Sequence, residues 1–249
     1  MVIFVTMIFK VNILFLCFFC LSQASFSQEE DSLENQTTYH KELSGSLFLH
    51  THGCGVNFRK AKHVSVNQKR VFEIDWCTMN HRKNYVFSSS QISETKRFTY
   101  GELNAVSIIR AGYGNQKLLA GKTLRSNVEI RFLYLGGLSL PFLKPVYFEL
   151  DLPGDELGYD KFTSETKNSI RGGAGYWRGF NEMGVMPGIY GKTAVSFEYA
   201  SKYNYIRALE TGFVFDIYYK DVPILAETKN YPYFISFYVG LTYGKKWYR

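Results

Sequence analysis

The chain has 249 residues, a formal net charge of +7 and 17% aromatic residues. That length suits one domain, and its four cysteines are too few for a disulfide framework. The positive charge comes without an arginine-rich tract or nucleic-acid motif, so the sequence points away from nucleic acid and towards a basic surface facing water or anionic lipid.

Residues 1–27 read as a signal peptide. Lys10 precedes an apolar run from Val11 to Leu21, and the small residues Ser25 and Ser27 stand before Gln28. A membrane anchor is the alternative, although Lys10 splits the apolar segment. Lipidation at Cys17 or Cys20 would need a small residue before the cysteine, and Leu16 and Phe19 are not small. Such a peptide directs export, and its removal leaves Cys54 and Cys77. Residues 28–43 then form a flexible periplasmic lead, and residues 44–249 the barrel domain.

Short alternating segments follow. VFEIDWCT (71–78) sets Val71, Glu73, Asp75 and Cys77 against Phe72, Ile74, Trp76 and Thr78. VEIRFLY (128–134) sets Glu129 and Arg131 against Ile130, Phe132 and Tyr134. KTAVSFEY (192–199) sets Lys192 and Glu198 against Thr193, Val195, Phe197 and Tyr199. In RALETGFVFDIYY (207–219), Glu210 and Asp216 oppose Leu209, Phe213, Phe215 and Ile217, and FISFYVGLTY (234–243) is the cleanest alternation. A period of two marks strands with one apolar and one polar face. Segments 45–59, 103–114 and 138–150 are less regular. LGGL (135–138) suggests a tight hairpin, because Gly-Gly tolerates the positive φ of such turns, and SKYN (201–204) suggests another. Residues 151–187 are glycine-rich, lack alternation, and read as one long loop with some helix. The count is about eight strands, with ten or more as the alternative.

An exported chain with large aromatics at strand ends (Trp76, Tyr199, Tyr219, Tyr243) predicts an all-β, transmembrane, antiparallel up-and-down barrel with its apolar face towards lipid. The alternative is a soluble lipocalin-like barrel with that face inside. In the membrane barrel Glu73, Asp75, Glu129, Arg131, Lys192, Glu198, Glu210 and Asp216 line the interior, where Arg110, Arg131 or Lys192 can pair with Glu210 and Asp216.

GVNFRKAKHV, KRVFEIDW, YGELNAVSIIRAGYGNQKLLAGK, VEIRFLYLGGLSL, LKPVYFEL and RALETGFVFDIYYKDVPIL together resemble a family of uncharacterised outer-membrane β-barrel proteins of Bacteroidota, over about residues 45–246. The resemblance implies an envelope location and a barrel; it supplies no activity. Many outer-membrane barrels end on an aromatic residue, whereas this chain continues past Tyr243 as GKKWYR.

His40, His50, His52, His63 and His81 cluster in sequence. A hairpin centred near residues 65–66 would set Cys54 opposite Cys77 and His50 opposite His81. A disulfide or a zinc site is then conceivable, although directly opposed cysteines give poor disulfide geometry, and neither bond nor metal is the default. Ser88, Ser89 and Ser90 near His81 offer material for a lipid-active hydrolase, but no G-x-S-x-G elbow supports it. The sequence therefore implies no cofactor and no enzyme. An eight-stranded interior is about filled by its own side chains, so a structural or interaction role with a largely plugged lumen is expected; a narrow solute channel and a lipid-active enzyme are the alternatives. Outer-membrane lipid and an envelope protein are the candidate partners. Tyr176, Trp177, Arg178 and Phe180, in the long loop, are the candidate contacts.

Overall fold

The computed structural model describes residues 41–80, 86–88, 97–121, 128–152, 156–163, 170–199, 205–226 and 228–247. The expected signal peptide and the SKYN turn lie outside the described residues, as does all of the lead up to residue 40.

Fourteen strands occur among the described residues: β1 (Lys41–His50), β2 (Gly53–Ser65), β3 (Gln68–Met79), β4 (Val86–Ser88), β5 (Arg97–Thr99), β6 (Asn104–Ala120), β7 (Glu129–Pro145), β8 (Tyr147–Leu152), β9 (Glu156–Lys161), β10 (Ile170–Gly173), β11 (Gly184–Val185), β12 (Gly188–Glu198), β13 (Tyr205–Tyr218) and β14 (Tyr233–Trp247). Eight form one closed antiparallel ladder in the order β7-β12-β13-β14-β1-β2-β3-β6, with β6 returning to β7. Closure leaves no open edge, which a strand in hydrocarbon could not tolerate. Hydrogen-bonded partners followed once round the wall run Lys41, Lys62, Arg70, Asn115, Tyr134, Thr193, Phe213, Phe237. The circuit ends at Thr51, whose N–H donates to the Phe237 carbonyl. The displacement from Lys41 to Thr51 is ten residues, the stagger that lets tilted strands close.

Every alternating segment keeps its phase. Glu73, Asp75, Lys192, Glu210 and Asp216 point inward and are buried, while Phe72, Ile74, Trp76, Phe213, Phe215, Ile235, Phe237 and Leu241 are exposed on the outer surface. Among the described residues no helix is long and apolar enough to cross a membrane. A wall with an apolar outside and buried charges inside defines a transmembrane β-barrel of eight strands.

Several boundaries differ from expectation. The segment 45–59 is two strands turning at residues 51–52, and β1 begins at Lys41, inside the expected lead. LGGL is no hairpin: β7 runs unbroken from Glu129 to Pro145. Its Gly137 lies between Gly112 of β6 and Tyr190 of β12 in one cross-strand row. The Tyr190 ring crosses that row, and a Cβ on Gly112 would stand 2.2 Å from its hydroxyl. Gly112 makes room for that ring, and a Cβ on Gly137 would stand 2.1 Å from the Ala111 carbonyl oxygen, so Gly137 serves close strand approach instead of turning the chain. β14 extends to Trp247, so the strand passes Tyr243 and carries a further outward aromatic.

Residues 151–187 are not one irregular loop with helix. β8, β9 and β10 make a three-stranded sheet, and a 3-10 turn (Phe180–Glu182) leads into β11, which pairs with β7. Gly179 opens that turn at φ 86°, where a Cβ would lie 2.6 Å from the Pro145 carbonyl oxygen. Both requirements favour glycine.

The two rims differ. The start of β1 and the end of β14 lie at one rim, with residues 66–67, the end of β6, the start of β7, the end of β12 and the start of β13. The opposite rim carries the longer connections, of which the described residues are 51–52, 86–88, 97–103, 146–152, 156–163, 170–187, 219–226 and 228–232.

Candidate functional site

The alternation that sends aromatics outward forces charged side chains into the interior, where they form three tiers. At the rim holding the chain ends, Lys69 Nζ donates to both Glu42 oxygens at 2.8 Å, and His63 Nε2 lies 2.9 Å from the same carboxylate. Lys246 Nζ meets Glu198 at 2.7 Å, and Arg131 pairs with Glu129.

In the middle tier Arg59 donates to both oxygens of Glu210, at 2.6 and 2.8 Å, and its Nε donates to Glu73 at 2.6 Å. Lys192 bonds Glu73 and lies 3.6 Å from Asp75 and 3.8 Å from Glu210. The Tyr238 hydroxyl donates to Glu210 at 2.7 Å. Asp75 sits cross-strand from Asn57, and neither side chain makes a hydrogen bond.

In the upper tier Arg110 grips Asp216 through two bonds of 2.8 Å and donates to Cys77 Sγ at 3.1 Å. Ser139 Oγ adds a bond to Asp216 at 3.0 Å. Above this residues 222–225 lie against residues 102–104 at the mouth. The N–H groups of Leu103 and Asn104 donate to the Ile224 carbonyl, Asn104 Nδ2 donates to Pro223 O at 2.8 Å, and Val222 and Ile224 are buried.

All nine expected interior charges therefore face inward. Arg110 does meet Asp216, and Lys192 stands near Glu210, but Glu210's main partner is Arg59, which sequence reasoning missed along with Glu42, Lys69 and Lys246. The signal was present. In NFRKA (57–61) Asn57, Arg59 and Ala61 alternate with Phe58 and Lys60, but Lys60 puts a charge on the outer face and blurs the contrast.

The cysteine register is corrected. Cys54 pairs with Leu49 and Cys77 with Gly55, one residue from the assumed pairing, because the β2–β3 ladder slips between His63 and Ser65. A one-residue offset reverses the face. Cys54 is exposed outside, Cys77 is buried inside, and both are free. His50 pairs with Gly53; His40, His81, Ser89 and Ser90 lie outside the described residues. Among the described residues no group of three histidine, cysteine or acidic side chains could hold a metal ion.

At the rim with the long connections, Tyr176, Trp177 and Phe180 form a ring cluster with centroids 5.5–5.8 Å apart. Trp177 is 81% exposed and Tyr176 68%. Lys144 Nζ donates to the Tyr176 carbonyl at 2.6 Å and lies 4.1 Å from its ring centroid. Arg178 stacks 3.6 Å over Tyr159. Glu182 accepts hydrogen bonds from Lys161 at 2.5 Å and from the Tyr147 hydroxyl at 2.7 Å, and these hold its carboxyl below the usual carboxylate range. The four expected contact residues thus stand together on a braced platform.

No protein-family model and no curated protein matches the chain. Several solved structures of bacterial outer-membrane barrels are similar to it. Ail, the attachment invasion locus protein of Yersinia pestis, solved with the heparin analogue sucrose octasulfate, has 5% identity, covers 84% of this chain and 100% of its own, and gives a TM-score of 0.40. Neisserial surface protein A has 11% identity, covers 84% and 97%, and gives 0.40. A major outer membrane protein of Thermus thermophilus has 10% identity, covers 82% and 98%, and gives 0.44.

Proposed function

We propose that this is a small outer-membrane β-barrel, exported by its amino-terminal signal, that serves as a structural or interaction protein and not as a pore or an enzyme. The observation that carries this reading is the interior: three tiers of buried ion pairs cross the lumen beneath the buried Val222 and Ile224. Large charged side chains locked in two-pronged bonds support a lumen filled by its own side chains over the continuous aqueous path a porin needs. What remains available to a partner is the loop platform of Tyr176, Trp177, Arg178 and Phe180. Exposed aromatics with arginine are the residue types that dominate binding energy at protein interfaces, which fits an envelope or extracellular protein partner.

Two measurements test this. Purified protein in planar bilayers is expected to give no stepwise conductance; ion-conducting steps would favour the narrow-channel alternative. An epitope tag inserted after Gly158 is expected to be labelled on intact cells, since long barrel loops normally face outward. Labelling only after the outer membrane is breached would reverse the topology and remove the platform from the cell surface.

A further inference from the structure

The exposed cations of the eight wall strands gather at one rim. There seven cations point outward and are exposed: Lys41, Lys60, Lys62, Arg70, Lys117, Arg207 and Lys245. They sit on six consecutive strands of the wall, β13-β14-β1-β2-β3-β6. Each lies within a few residues of the strand end at the rim that carries both chain ends. Lys41 pairs directly with Lys62, and Lys62 with Arg70. Lys245 stands opposite Leu43, two residues along from Lys41, and Arg207 stands opposite Tyr243, two residues from Lys245. Like charges set directly across neighbouring strands repel, so this arrangement calls for an anion between them. Among the described residues none is provided: every outward position on these six strands is free of aspartate and glutamate, and none of the seven forms an ion pair with a described residue.

Above the arc, on the same strands, Leu43, Phe58, Phe72 and Tyr113 begin the exposed apolar face. The ring centroids of Tyr243 and Tyr134 lie 6.0 and 5.8 Å from the charges of Arg207 and Lys117, respectively. A cation row bordering an apolar wall, with tyrosines beside it, matches the depth at which lipid phosphates meet hydrocarbon. We propose that this arc binds the headgroups of anionic phospholipids in the leaflet next to the chain ends, and that the anions relieve the repulsion between Lys41, Lys62 and Arg70. Soluble anions fit less well, because the site is half apolar and follows the curved wall.

The test uses the full mature chain in vesicles of phosphatidylcholine with spin-labelled phosphatidylglycerol or spin-labelled phosphatidylcholine as probe. The bound fraction of each is read from the electron-resonance spectrum. The wild type is expected to prefer phosphatidylglycerol several-fold. High salt and the triple variant Lys41→Gln/Lys62→Gln/Arg70→Gln should both shrink that preference towards equality, with the heat-modifiable gel migration of the folded barrel unchanged. Should the triple variant not fold, Lys60→Gln/Lys117→Gln is measured in its place. Equal binding of the two probes by the wild type, or an undiminished preference in every folded variant, would overturn the proposal. So would full displacement of the lipid probe by millimolar glycerol phosphate, which would mark a site for soluble anions.

Discussion

Replacing Arg110 with methionine isolates the largest electrostatic element of the upper tier. Arg110 is 1% exposed and Asp216 wholly buried, and two bonds of 2.8 Å join them. Arg110→Met leaves the carboxylate with a single donor, Ser139 Oγ at 3.0 Å. Removing one member of a buried ion pair costs about 3–5 kcal/mol, because the other charge is stranded, whereas replacing both with apolar residues is often near neutral. With a urea m-value of about 2 kcal/mol/M, a loss of about 4 kcal/mol lowers the unfolding midpoint by about 2 M. Unfolding of detergent-solubilised protein, followed by tryptophan fluorescence and gel migration, measures it. Arg110→Met/Asp216→Leu is expected within about 1 kcal/mol of the wild type. A single variant that loses less than about 1 kcal/mol, or a double variant that falls as far as both singles combined, would show that this pair is not coupled.

Other expectations follow from the same interior and its outer wall. Around the middle and upper tiers four carboxylates (Glu73, Asp75, Glu210, Asp216) face three cations (Arg59, Lys192, Arg110), and Asp75 has no hydrogen bond; Asp75→Asn should be neutral or stabilising in the same urea titration, while Arg59→Met should cost about 3–5 kcal/mol. Phe237→Arg on the exposed face should cost about 2–4 kcal/mol if it lies near the bilayer midplane, and spin labels at Phe237 and Leu241 should report lipid while one at Ser236 does not. Cys54 should react with an apolar maleimide in the folded barrel and Cys77 only after unfolding, with identical gel migration with and without reductant; a migration change on reduction would contradict two free thiols. Because its partners lower the Glu182 carboxyl's pKa, the contribution of its bonds to Lys161 and Tyr147 is present above the unfolded carboxylate pKa and lost as pH falls through the lower folded value. Acidification through that window should change the fluorescence of nearby Trp177, and Glu182→Gln should abolish the change.

The sequence by itself determined which residues of the clearly alternating segments share a face. Alternation is a local property of an extended chain, so Glu210, Asp216, Phe213 and Phe237 could be assigned to faces before any strand was paired. Composition and length then left few ways to hide so many aromatics beside so many charges. The pairings were decided by the tertiary structure. A ladder slip between His63 and Ser65 moved Cys54 and Cys77 to opposite faces, and only closure of the wall brought Arg59 of β2 to Glu210 of β13, 151 positions away in the chain. Glycine misled for a related reason. Gly136 and Gly137 carry the local signature of a turn, yet Gly137 lies against the backbone of Ala111 and Gly112 on the neighbouring strand, and a residue's need for space cannot be read until its neighbours across the sheet are known. The basic arc arose in the same way: its lysines and arginines are scattered from position 41 to 245, and only the register of six strands gathers them at one rim.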